Sequence, residues 1–268
     1  MFFGRNCPAP AHNTDCLKLY GCLPEHCGIP EAIDHLFILD QKKSLMIKAC
    51  IFDLDGVIVD TAKYHFIAWR RLANHLGFDF TEEENEKLKG VSRMDSLNLI
   101  LQWGGIEKSE AEKAQLAELK NGWYREYILK MDPSEILEGV APFLGHLEQL
   151  GIRLALGSSS KNARTILEQV GLMHRFEAIV DGTNITRSKP DPQVFELGAE
   201  AMNLNPGECL VFEDAEAGID AALAGGFLAV GVGAEENLGH AHLVIPNFIG
   251  LSLQAILDGI QARAEKHG

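Results

Sequence analysis

Short apolar runs alternate with amphipathic stretches along most of the chain, most regularly after residue 139. Residues 48–52 are mostly apolar and carboxylates follow at once, which predicts a buried strand that ends in a functional loop. Further strands are predicted in RLALG, FEAIV, ECLVFED, FLAVGVG and HLVIP, with helices between them and a last helix over 252–265. Strands and helices that alternate at this length predict a parallel sheet covered on both faces.

The stretch from residue 62 to 129 has a different periodicity. AKYHFIAWRRLANHL, VSRMDSLNLILQW and SEAEKAQLAELKNGWYREYIL carry apolar residues at helical spacing, and no strand-like alternation appears between them. We therefore expect an α/β core over residues 46–62 and 133–268, with an all-helical cap over 63–132 inserted into it. Residues 1–45 are expected to form a loosely ordered N-terminal extension.

Composition and charge narrow the class of partner. The 268 residues carry a formal net charge of −14, which disfavours binding to nucleic acid or to an anionic membrane. No apolar run approaches the roughly 18 residues of a membrane span, and no secretory pattern opens the chain. We expect a soluble, cytoplasmic and monomeric protein that acts on a small molecule.

The N-terminal extension is rich in potential soft-metal ligands, which the sequence alone does not assign to a role. Their spacing contains no compact CxxC pair, so a zinc site and a zinc-dependent regulator are weaker interpretations than an extension or an upstream start codon. A disulfide framework fits poorly with a cytoplasmic protein. The residues concerned are Cys7, His12, Cys16, Cys22, His26 and Cys27.

Polar side chains follow the predicted strands at the edge where parallel sheets bind their ligands. Two acids, a hydroxyl cluster, a lysine and two more acids suit a metal ion together with a phosphate. The first acid pair can divide the labour, since one carboxylate can attack while the other moves protons. The set comprises Asp53, Asp55, Ser158, Ser159, Ser160, Lys189, Glu213 and Asp214.

Each of these signals also has an ordinary structural interpretation. The D-x-D-G segment could be a capped loop end, the serines a plain helix cap, and Lys189 a solvated surface lysine. Asp214 could cap the helix that AEAGI opens, although a cap leaves Glu213 unexplained. The functional interpretation is favoured because the residues form one coherent chemical set.

The segments FDLDG, GSSS, SKPDP and FEDAEAGI, in this order, resemble the four motifs of the haloacid dehalogenase superfamily. The resemblance covers residues 48 to about 233 and implies a Rossmann-like core. It implies that Asp53 accepts the phosphoryl group as an aspartyl phosphate and that Asp55 is the acid/base. It also implies Mg²⁺ on Asp53, Asp55 through its backbone carbonyl, Glu213 and Asp214, with Ser158 and Lys189 holding the transferring phosphoryl.

The insert resembles the cap of the β-phosphoglucomutase subgroup. This resemblance places Thr61 at the hinge between core and cap, His65 near the acid/base, and Arg93 on the non-transferring phosphate of a sugar phosphate. A guanidinium suits that last task because it binds phosphate through two parallel hydrogen bonds. The further substrate-binding residues that the resemblance implies are Trp69, Lys89, Gly90, Val91, Ser92, Lys120, Ser158, Ser159, Ser160, Lys161 and Asn162.

The resemblance therefore implies interconversion of β-D-glucose 1-phosphate and glucose 6-phosphate through glucose 1,6-bisphosphate. Two positions depart from the subgroup pattern, with Ser159 where alanine is usual and Met94 where an acid is common. The alternative is a Mg²⁺-dependent sugar-phosphate phosphatase, because such enzymes share much of this cap. A more remote alternative is a non-catalytic binding module on the same fold.

Overall fold

A computed structural model describes residues 46–267, so the predictions for residues 1–45 lie outside the described residues. Six strands form one sheet in the order β3-β2-β1-β4-β5-β6, and each neighbouring pair is parallel. The predicted α/β fold with a parallel sheet is confirmed. The strands are β1 (Ala49–Phe52), β2 (Arg153–Gly157), β3 (Ala178–Val180), β4 (Cys209–Glu213), β5 (Leu228–Val232) and β6 (Leu243–Ile245).

The central strands are apolar throughout because both faces of the sheet are covered. Cys50 and Phe52 point into one apolar cluster, whereas Ala49 and Ile51 point into another on the opposite face. This division follows from the alternation of side chains along a strand. The helices that cover the two faces are α5 (Val140–Gln149), α6 (Ala163–Gln169), α7 (Gln193–Ala201), α8 (Glu216–Ala224), α9 (Glu235–Leu238) and α10 (Leu253–His267).

Four helices lie between β1 and α5, and we call this group of helices the insert. They are α1 (Ala62–Leu76), α2 (Glu82–Glu86), α3 (Arg93–Trp103) and α4 (Glu110–Ile128). The insert has an apolar cluster of its own, built around Trp69, Leu72 and Phe80. Helices thus occur where the periodicity predicts them, while the domain boundaries at residues 63 and 132 stay a prediction.

The two connections between the insert and the sheet are bonded to each other. Val59 and Ile136 form an antiparallel bridge, and the Leu137 amide donates to the Ile58 carbonyl at 3.0 Å. Glu135 accepts hydrogen bonds from the side chains of Lys63 and Tyr64, both at 2.6 Å. The chain therefore leaves for the insert and returns from it through two segments that lie side by side.

The short helices α2 and α9 were not predicted from the sequence. They contain five and four residues, which is too few for an apolar periodicity to develop. Helix α2 is instead held by a capping box, in which Thr81 and Glu84 each bond the other's backbone amide. In the described part of the chain, no helix has both the length and the apolar character required to cross a membrane.

We expect Phe52 to be a principal source of stability. Its ring stacks on Phe212 with centroids 4.8 Å apart and meets Phe143 edge-on at 6.4 Å. Phe52→Ala should lower the free energy of unfolding by about 3–5 kcal/mol, the range for large aromatic residues in a core. Urea denaturation would measure the loss. The control Leu150→Ala, at a side chain that is 53% exposed, should change it by less than about 0.5 kcal/mol. Equal losses in both variants would contradict this account.

Candidate active site

Two acids are brought together by the pairing of β1 with β4. Phe52 lies opposite Phe212 in the register, so Asp53 and Glu213 follow side by side at the carboxyl ends of the two strands. The Asp53 amide donates to the Phe212 carbonyl at 3.0 Å and continues the ladder into the loop. Both side chains are buried in this edge of the sheet.

Lys189 lies between these two acids. Its Nζ donates to Asp53 Oδ1 at 2.6 Å and to Glu213 Oε1, and its side chain is completely buried. Burial lowers the pKa of Lys189, but the charges of Asp53 and Glu213 outweigh it, so that the pKa is raised. The lysine is therefore charged, and its burial excludes the solvated surface lysine considered as the alternative.

A third carboxylate, that of Asp214, completes a candidate cation site. One oxygen atom of each of Asp53, Glu213 and Asp214 lies within 4.8 Å of the others. Burial, followed by the Glu213 and Asp53 charges, raises the pKa of Asp214 well above its usual value. The three carboxylates supply the hard oxygen ligands that Mg²⁺ prefers, and a divalent cation would offset the repulsion among them. The Asp55 carboxylate is outside this set, which is compatible with a ligand role of its backbone carbonyl alone.

Gly56 makes room for this arrangement. Its φ of +80° is in the left-handed region, and a Cβ on it would lie 2.1 Å from Asp214 Oδ2. A side chain at position 56 would thus collide with one of the cation ligands. The glycine of the FDLDG segment is required both for the turn and for the close approach of Asp214.

Asp55 is held next to Asp53 and against the start of the insert. Its amide donates to Asp53 Oδ2 at 3.0 Å, and its Oδ1 accepts a short hydrogen bond from the Thr61 hydroxyl. Thr61 stands at the N-cap position of α1 without using its side chain as a cap. Burial, followed by the Asp53 charge, raises the pKa of Asp55 to about 6. A carboxyl group that titrates near neutrality can both accept and donate a proton.

Residues 158–162, which we call the serine segment, follow β2 and lie at the same edge of the sheet as Asp53 and Glu213. The Ser160 amide donates to Ser158 Oγ at 3.1 Å, and the Asn162 amide donates to Ser160 Oγ at 3.2 Å. The Ser159 hydroxyl is buried and has no hydrogen-bond partner. Lys161 is exposed, and its backbone amide lies 3.0 Å from the position of a Cβ on Gly182, which shows how closely the loop after β3 packs behind this segment.

Within the insert, His65 and Lys120 meet in a polar contact, with His65 Nδ1 3.0 Å from Lys120 Nζ. Lys120 is buried and lies 4.2 Å from the centroid of the Trp69 ring. Burial and then the charge of Arg93 lower the pKa of Lys120 well below its usual value, while Asp55 raises it. Burial and the Lys120 charge likewise lower the pKa of His65. Three of the predicted insert residues therefore form one cluster on the side of Asp55.

The loop from Lys89 to Arg93 joins α2 to α3 and approaches the core. Lys89 Nζ lies 2.8 Å from Glu86 and 3.9 Å from Asp214 Oδ2. Gly90 has φ +71°, and a Cβ on it would lie 3.1 Å from the Ala215 Cβ. The insert therefore reaches the rim of the candidate cation site.

Ser92 is the N-cap of α3 and Arg93 is its first residue, while Val91 before them is half-buried. Ser92 Oγ accepts from the Asp95 amide at 3.3 Å and donates to the Asp95 carboxylate at 2.6 Å, so its hydroxyl caps the helix. Arg93 Nη1 lies 3.8 Å from Glu118, at a site where the arginine is partly exposed. A weak ion pair of this kind leaves the guanidinium available for an anion.

Sequence reasoning missed two features of the site. Tyr124 is fully buried against His65, with ring centroids 4.2 Å apart, and only its position one turn after Lys120 pointed to the site. The side chains of Asn121 and Asn162 are also joined, with the Asn162 amide group donating to Asn121 Oδ1 at 3.0 Å. This bond links α4 of the insert to the serine segment of the core.

Comparison with known proteins shows the family to which this chain belongs. Residues 47–226 match the haloacid dehalogenase-like hydrolases. The chain belongs to the haloacid dehalogenase-like hydrolase family and is an enzyme of that superfamily.

Within this family the chain is similar to proteins of the β-phosphoglucomutase group. It is 43% identical over 211 residues to a β-phosphoglucomutase of Bacillus subtilis, an alignment that covers 78% of this chain and 93% of the relative. The crystal structure of a β-phosphoglucomutase from Clostridium difficile superposes with a TM-score of 0.78 at 41% identity, over 82% of this chain and 100% of the other. A fructose-1-phosphate phosphatase of Escherichia coli is 32% identical over 68% of this chain and 94% of the relative.

We expect Asp214→Asn to weaken Mg²⁺ binding by about tenfold or more, because one of three anionic oxygen donors is lost. Isothermal calorimetry with MgCl₂ on protein stripped with EDTA would measure the change. Asp220→Asn serves as the control, since Asp220 is an exposed carboxylate on α8 outside the site. A Mg²⁺ affinity that is the same in both variants and the wild type would contradict the assignment of these ligands.

Proposed function

We propose that the chain is a Mg²⁺-dependent β-phosphoglucomutase that interconverts β-D-glucose 1-phosphate and glucose 6-phosphate. The observation that carries the proposal is the placement of cationic groups on both sides of Asp55. Lys189 lies beside the proposed nucleophile in the core, and Lys120 of the insert lies near both Asp55 and Arg93. Two separate cationic sets suit a substrate that carries two phosphates, whereas a monophosphate requires one set.

The core side of the site would carry the phosphoryl transfer. Asp53 is the proposed nucleophile, since its carboxylate is oriented by Lys189 and by the Asp55 amide. Asp53, Glu213 and Asp214, with the Asp55 carbonyl, would hold Mg²⁺, which supplies positive charge against the oxygens of the phosphoryl group. Ser158 and Lys189 would hold those oxygens, and fixed donors of this kind lower the barrier because they need no rearrangement.

Asp55 would move the proton in each half of the reaction. When Asp53 is phosphorylated, Asp55 accepts the proton of the sugar 6-hydroxyl while that oxygen attacks phosphorus and the bond from phosphorus to Asp53 breaks. The product is glucose 1,6-bisphosphate. After the sugar turns over, Asp53 attacks the 1-phosphate, and Asp55 returns its proton to the departing 1-oxygen. Glucose 6-phosphate leaves, and Asp53 is phosphorylated again.

The insert would bind the phosphate that is not being transferred. Arg93 and Lys120 supply the charge, Lys89, Gly90, Val91 and Ser92 shape the loop, and Thr61, His65 and Trp69 connect this region to Asp55. Ser159, Ser160, Lys161 and Asn162 would bind phosphate on the core side. Closure of the insert would exclude water, which otherwise attacks the aspartyl phosphate and releases free phosphate.

The proposal also covers the localisation, the oligomeric state and the partners of the protein. We propose a cytoplasmic enzyme that acts as a monomer on a small sugar phosphate, with neither nucleic acid nor membrane as a partner. A sugar-phosphate phosphatase is the second candidate, and the similarity to the Escherichia coli fructose-1-phosphate phosphatase favours it. The two candidates share Asp53, Asp55 and the cation ligands, and they differ in whether water reaches the aspartyl phosphate.

The deciding assay supplies Mg²⁺, β-glucose 1-phosphate and a trace of glucose 1,6-bisphosphate, and follows glucose 6-phosphate and free phosphate together. We expect glucose 6-phosphate with little free phosphate. Asp53→Asn should abolish turnover because the nucleophile is lost, and Asp55→Asn should lower kcat by about 10²–10⁴, the range for a lost general acid/base.

Asp60→Asn provides the control in that assay, because Asp60 is an exposed carboxylate in the same loop. Its turnover should equal that of the wild type. Free phosphate as the sole product would move the protein to the phosphatases, and normal turnover of Asp53→Asn would remove the nucleophile assignment.

Arg93→Ala should raise the KM for β-glucose 1-phosphate by about 10- to 150-fold, which corresponds to about 1.5–3 kcal/mol for a hydrogen bond to a charged group. The same assay measures it. Arg70→Ala is the matched control, since Arg70 lies on the outer surface of α1 and pairs with Asp79 at 3.0 Å. An unchanged KM and kcat in Arg93→Ala would exclude this arginine from the substrate site.

A further inference from the structure

Two buried side-chain polar atoms lack a hydrogen-bond partner within residues 46–267, and both lie at the candidate active site. They are the hydroxyl oxygens of Ser159 and Tyr124. A buried hydroxyl without a partner is unfavourable for folding and rare in native proteins, so each requires an explanation. Ser159 belongs to the segment already proposed to bind phosphate, which suggests that a ligand supplies the missing partner. Tyr124 has no role in the mechanism described above.

The ring of Tyr124 is firmly held by the insert. Tyr124 lies on α4, one turn after Lys120, and its side chain is 1% exposed. Lys120 Nζ is 4.7 Å from the ring centroid, and the His65 ring is 4.2 Å from it. Because these contacts fix the ring, the position of the hydroxyl is fixed as well.

The hydroxyl lies within the electrostatic influence of groups on both sides of the site. Burial raises the pKa of Tyr124 well above its usual value and the Asp55 charge raises it further. The nearby Thr61 side chain and the Arg93 charge lower it, although the contact with Thr61 falls short of hydrogen-bond geometry. The phenol therefore stays neutral and keeps its proton. It is an uncharged donor beside Lys120 and His65 that is influenced by the charges of both Asp55 and Arg93.

The neighbouring protein groups are already engaged with one another. Asp55 Oδ1 accepts the proton of the Thr61 hydroxyl, and His65 Nδ1 is in contact with Lys120 Nζ. The charged groups around the site are suited to the phosphates, since charge-assisted hydrogen bonds are the stronger ones. An uncharged donor between them is better matched to an uncharged oxygen of the sugar.

We propose that the Tyr124 hydroxyl is a substrate-binding group that donates a hydrogen bond to a hydroxyl or ring oxygen of the phosphorylated sugar. This inference rests on the proposed function, because it assumes a sugar between the two phosphate-binding sets. It makes Tyr124 a determinant of specificity for the sugar, in addition to the residues that bind phosphate.

Tyr124→Phe tests the proposal, because it keeps the ring and removes only the oxygen. The affinity for glucose 6-phosphate, measured by calorimetry in Mg²⁺, should fall by about five- to tenfold, the effect of one neutral hydrogen bond. The affinity for inorganic phosphate, which has no sugar, should stay within about twofold of the wild type. The melting temperature should be unchanged or slightly raised, since no hydrogen bond within the protein is lost.

Tyr64→Phe is the matched control. The Tyr64 hydroxyl donates to Glu135 at 2.6 Å, so its removal breaks a bond within the protein. We expect a lower melting temperature in this variant and an unchanged affinity for glucose 6-phosphate. The two variants thus have opposite signatures, which separates loss of a ligand contact from loss of stability.

Several results would overturn the proposal for Tyr124. These are a glucose 6-phosphate affinity of Tyr124→Phe equal to that of the wild type, an equal loss of affinity for inorganic phosphate, and a clear loss of stability. If the wild-type enzyme releases only free phosphate, the mutase proposal fails, while the comparison of glucose 6-phosphate with inorganic phosphate still decides the role of Tyr124. A wild-type protein that binds no glucose 6-phosphate would overturn both.

Discussion

The contact of Lys189 with Asp53 and Glu213 is the interaction on which the candidate site depends. Parallel pairing of β1 with β4 forces two acids to emerge side by side, and Asp214 follows immediately after the second. Without a cation, three carboxylates in a buried space would repel one another strongly. The buried ammonium offsets part of that repulsion and leaves a net negative charge. The same residues therefore explain why the site tolerates its own acids and why a divalent ion fits beside them.

A second constraint connects the insert to the chemistry. Thr61 occupies the N-cap of α1, yet its hydroxyl bonds Asp55 and leaves the helix end without a side-chain cap. A capping bond is worth about 1 kcal/mol, so the chain gives up a local interaction in favour of one with Asp55. Because Thr61 belongs to the first turn of the insert, the position of the insert and the orientation of Asp55 are directly coupled.

Much of the fold could be predicted from the sequence because its signals are local. The apolar strands and the glycines that end helices can be recognised from the residues around them. Asp53, Ser158 and Glu213 lie where strands end, and Lys189 lies in the loop before α7. Tyr124 could not be found in this way, since an aromatic residue at helical spacing usually indicates core packing. The surroundings of its hydroxyl are set by side chains 60 or more residues earlier, Asp55, Thr61 and Tyr64, and such non-local relations have no signature in the pattern. Helix α2 escaped prediction for a different reason, because a five-residue element rests on its caps.

The paired connections at Val59 and Ile136 have a consequence for how such a protein can change over evolutionary time. The chain leaves for the insert and returns from it through these two paired segments, and the insert has an apolar cluster of its own. Replacement of the insert would leave the strand pairings of the sheet and the three candidate cation ligands in place. The candidate cation site would thus be retained, while the residues that face it from the insert would change. New substrates could be acquired by replacing one continuous segment of the gene, without any redesign of the chemistry beneath it.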